Sequence, residues 1–252
     1  MEIFQDYAMY YNAFYQDKNY PAEARQVDSL LRKYGNEVKT LINFGCGTGK
    51  HDVELTHLGY NCTGIDMSKE MIHLAKCNAE LENKDIVFCA ADVRTYDPHI
   101  KYDAVISLFH VMSYQVSNED ILAAFHSARK CLNIGGVLLF DAWYGPGVLS
   151  DKPSVRVREV KNEQYRMIRV ANPVMHDQTN VVDVFYDVFV INTNTNQTKE
   201  IRETHRMRYF FRPELEAYLK EMQFQLIDTL DCKTLGETDF NSWTSYFIAK
   251  AI

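Results

Sequence analysis

The sequence predicts an α/β protein: a parallel β-sheet with crossover helices, joined late in the chain by an antiparallel β insertion. Three observations lead there. Short apolar runs alternate with helical stretches between residues 22 and 141. A glycine loop, Gly45-Cys46-Gly47-Thr48-Gly49, directly follows the first apolar run. After about Pro146 the pattern turns to strands joined by polar turns. The chain has 252 residues, 46% of them apolar and 24% charged, which excludes a disordered or collagen-like chain. That length suits one large domain, or one domain with an insertion, with a sizeable core.

The elements follow in order. Ala22 to Tyr34 reads as a helix, with Val27, Leu30, Leu31 and Tyr34 at helical spacing and Gly35 expected as a left-handed cap. Val38 to Phe44 reads as a buried parallel strand running into the glycines. A helix over Lys50 to Leu58 closes at Gly59. Tyr60 to Asp66 is the next strand, and Ser68 caps a helix carrying Met71, Leu74, Ala75 and Ala79. Ile86 to Ala91 and Tyr102 to Leu108 are strands. Ser117 opens a helix with Ile121, Phe125, Ala128 and Leu132 along one stripe, and Gly135 to Asp141 is the fifth strand. In the insertion, strands are expected near 155–160, 164–171 and 181–191, then a turn over Asn192 to Lys199 and a strand over Glu200 to Phe211. Pro213 starts a helix presenting Leu215, Tyr218, Leu219 and Met222, and two strands end the chain at about 223–231 and 243–250.

Charge and composition narrow the function. Lys plus Arg is 27 against 34 for Asp plus Glu, a net charge of −7, which argues against nucleic acid as a partner. No apolar run is long enough to predict a membrane span, and MEIFQDYAMYY lacks the basic-then-apolar pattern of a signal peptide. The six cysteines form no CxxC pair and read as reduced thiols of a cytoplasmic protein. The eight histidines show no HxH or HExxH spacing, so no metal is expected, and no serine nucleophile elbow is present.

Two features point to a ligand. Glycines at alternate positions after a strand permit a tight turn and close approach of a ligand to the backbone, at the sheet edge where open α/β sheets bind ligands. Asp66 ends the next strand and can accept hydrogen bonds from ribose hydroxyls. This carboxylate serves both a nicotinamide and an adenosyl reading. A dinucleotide fold wants GxGxxG or GxGxxA, whereas Lys50 fills the third position here and the glycines run GxGxG.

The loop GCGTG, the segment GIDMSKEMI, the acid of CAADV and the strand GGVLLFD resemble the class I S-adenosylmethionine-dependent methyltransferases over roughly residues 38 to 142. The resemblance implies a Rossmann-like seven-stranded sheet with its last strand antiparallel, and S-adenosylmethionine as cofactor. It implies that Gly45, Cys46 and Gly47 contact the methionine part, Asp66 the ribose with Met67 beside it, and Asp92 with Val93 the adenine. Leu108 and Tyr15 complete the expected cofactor set. Where the family usually carries Asp or Glu to hold the cofactor's amino group, this chain has Asn43, which can accept a hydrogen bond but brings no charge.

A looser resemblance concerns the acceptor. Tyr11-Asn12-Ala13-Phe14-Tyr15, Asn19-Tyr20-Pro21-Ala22-Glu23-Ala24, Ser107-Leu108-Phe109 with Ser113-Tyr114, and Asp141-Ala142-Trp143-Tyr144-Gly145-Pro146 are similar to segments of the N,N-dimethyltransferases acting on nucleotide-linked amino sugars. It implies Tyr15 and Tyr114 at the acceptor, Asp141 in place of that group's glutamate and Trp143 in place of its first tryptophan. That group's glycine-rich C-terminal stretch is absent, and Asn241-Ser242-Trp243-Thr244 stands there. Asp141 is the expected partner of a substrate amine or hydroxyl, and His110 the base if one is needed. Tyr11, Trp143, Tyr144 and Arg206 are the expected substrate contacts, although core or surface packing is the plainer role for Tyr7, Tyr10 and Tyr11 alike. Arg202, Thr204, Arg206, Arg208 and Phe210 share one strand face opposite Asp183, Phe185, Asp187 and Phe189. Cross-strand ion pairs on a solvated face are the plain reading, and a grip on an acceptor diphosphate is the sharper one.

The expected organisation is an N-terminal helical segment at the active-site mouth (1–37), a cofactor-binding core (38–145), the antiparallel insertion as a lid (146–212), and a C-terminal helix and strands completing the core (213–252). The expected activity is methyl transfer to a small-molecule acceptor, first a nucleotide-linked amino sugar, with O- or N-methylation of another metabolite as rival. A nicotinamide oxidoreductase and a catalytically silent S-adenosylmethionine-binding protein are the readings from other classes. Oligomeric state is not legible. Asp66→Ala is expected to weaken S-adenosylmethionine binding about tenfold or more, measured by calorimetry; full-strength binding would mean that the ribose is held elsewhere.

Overall fold

A computed structural model describes residues 14–252. Helix α1 (Tyr20–Tyr34) starts where Asn19 accepts from the Ala22 N–H, and it buries Ala24, Val27, Leu30 and Leu31. Its end differs from expectation. Gly35 is extended, at φ −87°, while its N–H still closes on the Leu31 carbonyl. Glycine is needed there for room, because a Cβ would lie 2.4 Å from Val38 Cγ2 and 2.6 Å from the Leu31 carbonyl oxygen.

The core then alternates: β1 (Thr40–Phe44), α2 (Lys50–His57), β2 (Asn61–Asp66), α3 (Lys69–Leu81), β3 (Val87–Ala90) and β4 (Tyr102–Ser107). A short 3₁₀ turn (Val111–Tyr114) leads to α4 (Asn118–Cys131) and β5 (Leu132–Tyr144). Ser68 and Ser117 cap α3 and α4 as expected, accepting from the Met71 and Asp120 N–H groups. Strand β5 runs three residues further at each end than Gly135–Asp141, and a six-residue helix, α5 (Gly145–Ser150), follows it. Next come β6 (Arg156–Lys161), β7 (Tyr165–His176), β8 (Val181–Asn192) and β9 (Thr198–Phe210). Helix α6 (Arg212–Glu221), β10 (Phe224–Asp231) and β11 (Thr244–Ala251) end the chain.

The parallel order is β3-β2-β1-β4-β5, which places β1 at the centre. Strand β11 pairs antiparallel with β5, and β10 with β11, which gives the expected seven strands with the last one antiparallel. Alternation along β1 sends Leu41 to the α1 face and Ile42 and Phe44 to the α4 and α6 face. Strands β6 to β9 form an antiparallel sheet. It joins the core where β9 runs parallel to β5, Trp143 opposite Tyr209 and Tyr144 opposite Phe210. Because β4 stops at Ser107 opposite Phe140, β9 takes up the edge that β4 leaves. The inner face of this sheet buries Met167, Val182, Val188, Val190, Ile201 and Tyr209. Among the described residues no helix is long and apolar enough to cross a membrane.

The turn after β5 is tightly fitted. A Cβ on Gly147 would lie 2.1 Å from the Ser242 carbonyl oxygen, a backbone atom with little freedom to retreat. Gly147→Ala is expected to cost about 1–3 kcal/mol and to lower Tm by roughly 2–10 °C in a thermal melt; an unchanged Tm would show that the two segments yield easily.

Candidate functional site

The site forms where the parallel strands end. Gly45 and Cys46 donate from their backbone N–H groups to the Ile65 carbonyl at 2.8 and 2.9 Å, which ties the loop to β2. Gly45 and Gly47 take left-handed φ values of 75° and 56°. At Gly45 a Cβ would strike Val111 at 2.5 Å, whereas at Gly47 nothing lies within 4 Å, so the loop backbone opens onto space.

Asp66 completes this floor. One carboxylate oxygen accepts from the Gly47 N–H and the other from the Ser68 N–H, both at 2.9 Å. Burial pushes the carboxyl up and the two backbone donors act against it. Each oxygen keeps a lone pair for a vicinal diol. Asp92 lies further along, held by the Arg94 guanidinium and backbone N–H. The Arg94 hydrogen bonds lower its carboxyl, and Arg94 also reaches Asp120 at 2.7 Å.

Asn43 and Asp52 stand behind the loop, outside the cleft lining. Asn43 Nδ2 donates to Asp52 Oδ2 at 2.9 Å, both residues are buried, and Oδ1 of each has no hydrogen-bond partner. Burial pushes the Asp52 carboxyl up to about 7, with the Asn43 hydrogen bond opposing. The acid missing at position 43 is thus matched by one on α2.

Two clefts adjoin here and share Gly45, Asp66, Val111 and Tyr114 in their linings. The inner one brings together Tyr15, Gly45, Cys46, Gly47, Leu108, His110, Tyr114 and Trp143 from the expected set. The outer one adds Met67, Asp92, Val93 and Arg206. Open space at Gly47, acceptor oxygens at Asp66 and apolar walls at Met67 and Val93 fit an adenosyl compound. Among the described residues no group of three or more His, Cys, Asp or Glu could hold a metal ion.

Tyr11, like Tyr7 and Tyr10, lies outside the described residues. Of the expected residues that are described, Tyr144 and Asp141 line neither cleft. Tyr144 packs against the core and its ring faces Phe247. Asp141 accepts from the His110 N–H at 2.9 Å and stands behind the turn, so it is engaged by backbone where a free acceptor for substrate was expected. That turn is strained: Phe109 and His110 both have left-handed φ, 65° and 66°. His110 Nδ1 is 3.1 Å from Asp141 Oδ2 but makes no hydrogen bond.

The aromatic wall is interlocked. Tyr15 sets its ring edge-on to Phe109 and accepts from Arg169 Nη1 at 3.1 Å. Trp143 stacks edge-on to Trp243, whose indole N–H donates to the Asp151 carbonyl. The charged face of β8 and β9 behaves as cross-strand pairs, Arg206 with Asp183 at 2.9 Å and Arg202 with Asp187 at 3.4 Å. Arg208 is instead buried against Asn118, Glu214 and Tyr218.

Several cleft residues were not singled out from sequence: Lys18, Lys50, His51, Tyr186, His205 and Met207. Lys18 and His51 both pair with Glu23, at 2.6 and 2.7 Å. Tyr114 Oη and His205 Nδ1 are 2.8 Å apart, and His205 Nε2 is 3.1 Å from Glu203 Oε2. A signal for the last pair existed: Glu203 and His205 interrupt the apolar alternation Ile201, Met207, Tyr209 on β9.

Asp52 carries a pH prediction. Its folded value of about 7 lies above the unfolded value of about 3.9, so the fold binds the extra proton between those pH values and loses stability as pH rises through them. Asp52→Asn is expected to melt a few degrees above the parent at pH 8, with the gain shrinking toward pH 4. A gain that grows on acidification would contradict this.

Comparison with known proteins adds independent findings. Residues 42–136 match the methyltransferase domain family. The chain is 26% identical over 214 residues to a dTDP-3-amino-3,4,6-trideoxy-α-D-glucopyranose N,N-dimethyltransferase of Streptomyces venezuelae, covering 84% of this chain and 87% of that one. It is similar in structure to an S-adenosylmethionine-dependent methyltransferase from Clostridium acetobutylicum, with TM-score 0.82, 18% identity and 96% of each chain covered. A second similar structure is an S-adenosylmethionine-bound amino pentose methyltransferase from Micromonospora echinaspora, with TM-score 0.76, 21% identity, and 100% of this chain and 99% of that one covered.

Proposed function

We propose, on the premise that this chain belongs to the class I S-adenosylmethionine-dependent methyltransferases, that it methylates the amino group of a nucleotide-linked amino sugar. The observation that carries the reading is the continuity of the clefts. They run from the glycine loop to a wall of Tyr15, Tyr114, Trp143 and the inner face of the β6–β9 sheet. The named activity of the Streptomyces venezuelae relative supports the acceptor class.

The cofactor, S-adenosylmethionine, supplies an already activated methyl on a sulfonium, so the protein's work is positioning and exclusion of water. In this reading Gly45, Cys46 and Gly47 hold the methionine part and Asp66 the ribose. Asp92, Val93 and Met67 hold the adenine, Leu108 backs the cofactor, and Tyr15 borders the junction with the acceptor. Asn43, braced by Asp52, supports the loop from behind. Asp141 is a positioning residue that keeps the strained Phe109-His110 turn in place. The β6–β9 sheet, within the proposed insertion 146–212, covers the acceptor as a lid. Arg206 is already neutralised by Asp183, which disfavours it as the diphosphate grip although it borders the outer cleft.

A second reading, another small metabolite, is favoured by the Trp143–Trp243 contact: Trp143 lines the inner cleft and is backed by Trp243, which belongs to the segment standing in place of the amino-sugar group's glycine-rich stretch. Labelled methyl transfer against dTDP-3-amino-3,4,6-trideoxy-α-D-glucopyranose, simple amines and phenols decides. Label in the nucleotide sugar is expected. Transfer only to the simple acceptors would overturn the substrate class, and S-adenosylmethionine binding without any transfer would favour the silent-binder reading.

A further inference from the structure

We propose that Tyr114, His205 and Glu203 form a proton relay that receives the proton of the acceptor amine, an inference that rests on the amine reading above. The three come from two parts of the fold. Tyr114 closes the 3₁₀ turn after β4 in the core, and Glu203 and His205 sit on the inner face of β9. Their neighbours on that face, Ile201, Met207 and Tyr209, are buried. The His205 and Glu203 side chains are 2% and 10% exposed. An imidazole and a carboxylate in such a place are costly unless they satisfy each other.

One proton assignment suits the relay. A carboxylate can only accept, so with Glu203 in that role His205 Nε2 carries the hydrogen toward Oε2 at 3.1 Å. His205 Nδ1 is then the acceptor, and the Tyr114 hydroxyl donates to it at 2.8 Å. The donation leaves the phenol oxygen as the acceptor end of the chain. Tyr114 lines both clefts, at their junction, where an acceptor amine would meet a methyl donor seated over Asp66.

An amine is protonated at neutral pH and cannot attack until the proton leaves. In the relay the N–H bond of the ammonium breaks, its electron pair stays on nitrogen, and the proton passes to Tyr114 Oη. The Tyr114 O–H bond breaks at the same time and its proton bonds to His205 Nδ1. Glu203 faces the resulting imidazolium at Nε2. Each added methyl leaves another charged nitrogen, so a second transfer needs the same path. Two further groups near His205 among the described residues suit this role. Tyr186 on β8 sets its ring tilted at 4.5 Å from the imidazole, and burial pushes that phenol up to about 12, so it stays neutral. Arg169 on β7 lies over Tyr186 at 4.8 Å and binds Tyr15. His110, the imidazole expected from sequence, has its Nδ1 against Asp141 without a hydrogen bond and no comparable path.

The test is steady-state methyl transfer to dTDP-3-amino-3,4,6-trideoxy-α-D-glucopyranose, with S-adenosylhomocysteine binding measured by calorimetry on every variant. His205→Gln can still accept from Tyr114 but cannot take its proton, and Glu203→Gln removes the charge facing Nε2. Both are expected to lower kcat about 100-fold with S-adenosylhomocysteine affinity and amine KM unchanged, and added imidazole is expected to restore turnover in His205→Ala. Parental kcat in His205→Gln, or a loss confined to KM, would overturn the relay while leaving the substrate reading intact. A parent enzyme that transfers nothing to the amino sugar would overturn the substrate reading and the relay's role with it.

Discussion

The Asp66 carboxylate is the joint on which the site depends. It accepts from Gly47 on the loop after β1 and from Ser68 at the start of α3, so two strand ends and a helix N-terminus are held by one half-buried side chain. The same carboxylate faces both clefts. Loop shape, ribose recognition and the line between cofactor and acceptor therefore answer to a single group. Gly47 suits this joint: in its left-handed conformation it presents its N–H to Asp66, and without a side chain it leaves the loop open.

Above that joint the molecule solves a topological problem. Strand β4 stops short of the end of β5, and the freed edge is taken by β9, which carries the second sheet with it. The Phe109-His110 turn passes through the gap in strained geometry, and Asp141 binds its backbone. Strain at a position flanked by a cleft is affordable only where neighbours overdetermine it. Here Tyr15, Lys18 and Asp141 all contact the turn.

What the sequence revealed has a physical pattern. Local signals were legible: the capping serines, the glycine loop, the acid ending β2 and the change of period after Pro146. Non-local ones were not. Asp141 was visible as a carboxylate at a strand end, but its engagement with His110 depends on a turn 31 residues away in sequence. Asp52 lies inside a short helix, and nothing local says that it meets Asn43. On β9 the arginines drew attention to the solvent face, while the informative break in pattern, Glu203 and His205 among apolar residues, lay on the other face. Gly35 shows a further limit: a glycine after a helix suggests a left-handed cap, yet here it answers to crowding by Val38.

The most direct measurement is a crystal structure of the protein soaked with S-adenosylhomocysteine. The account predicts continuous density from Gly47 past Asp66 to Val93, with the ribose hydroxyls against the Asp66 carboxylate and the sulfur facing Tyr114. Density elsewhere, or a ribose turned away from Asp66, would contradict it.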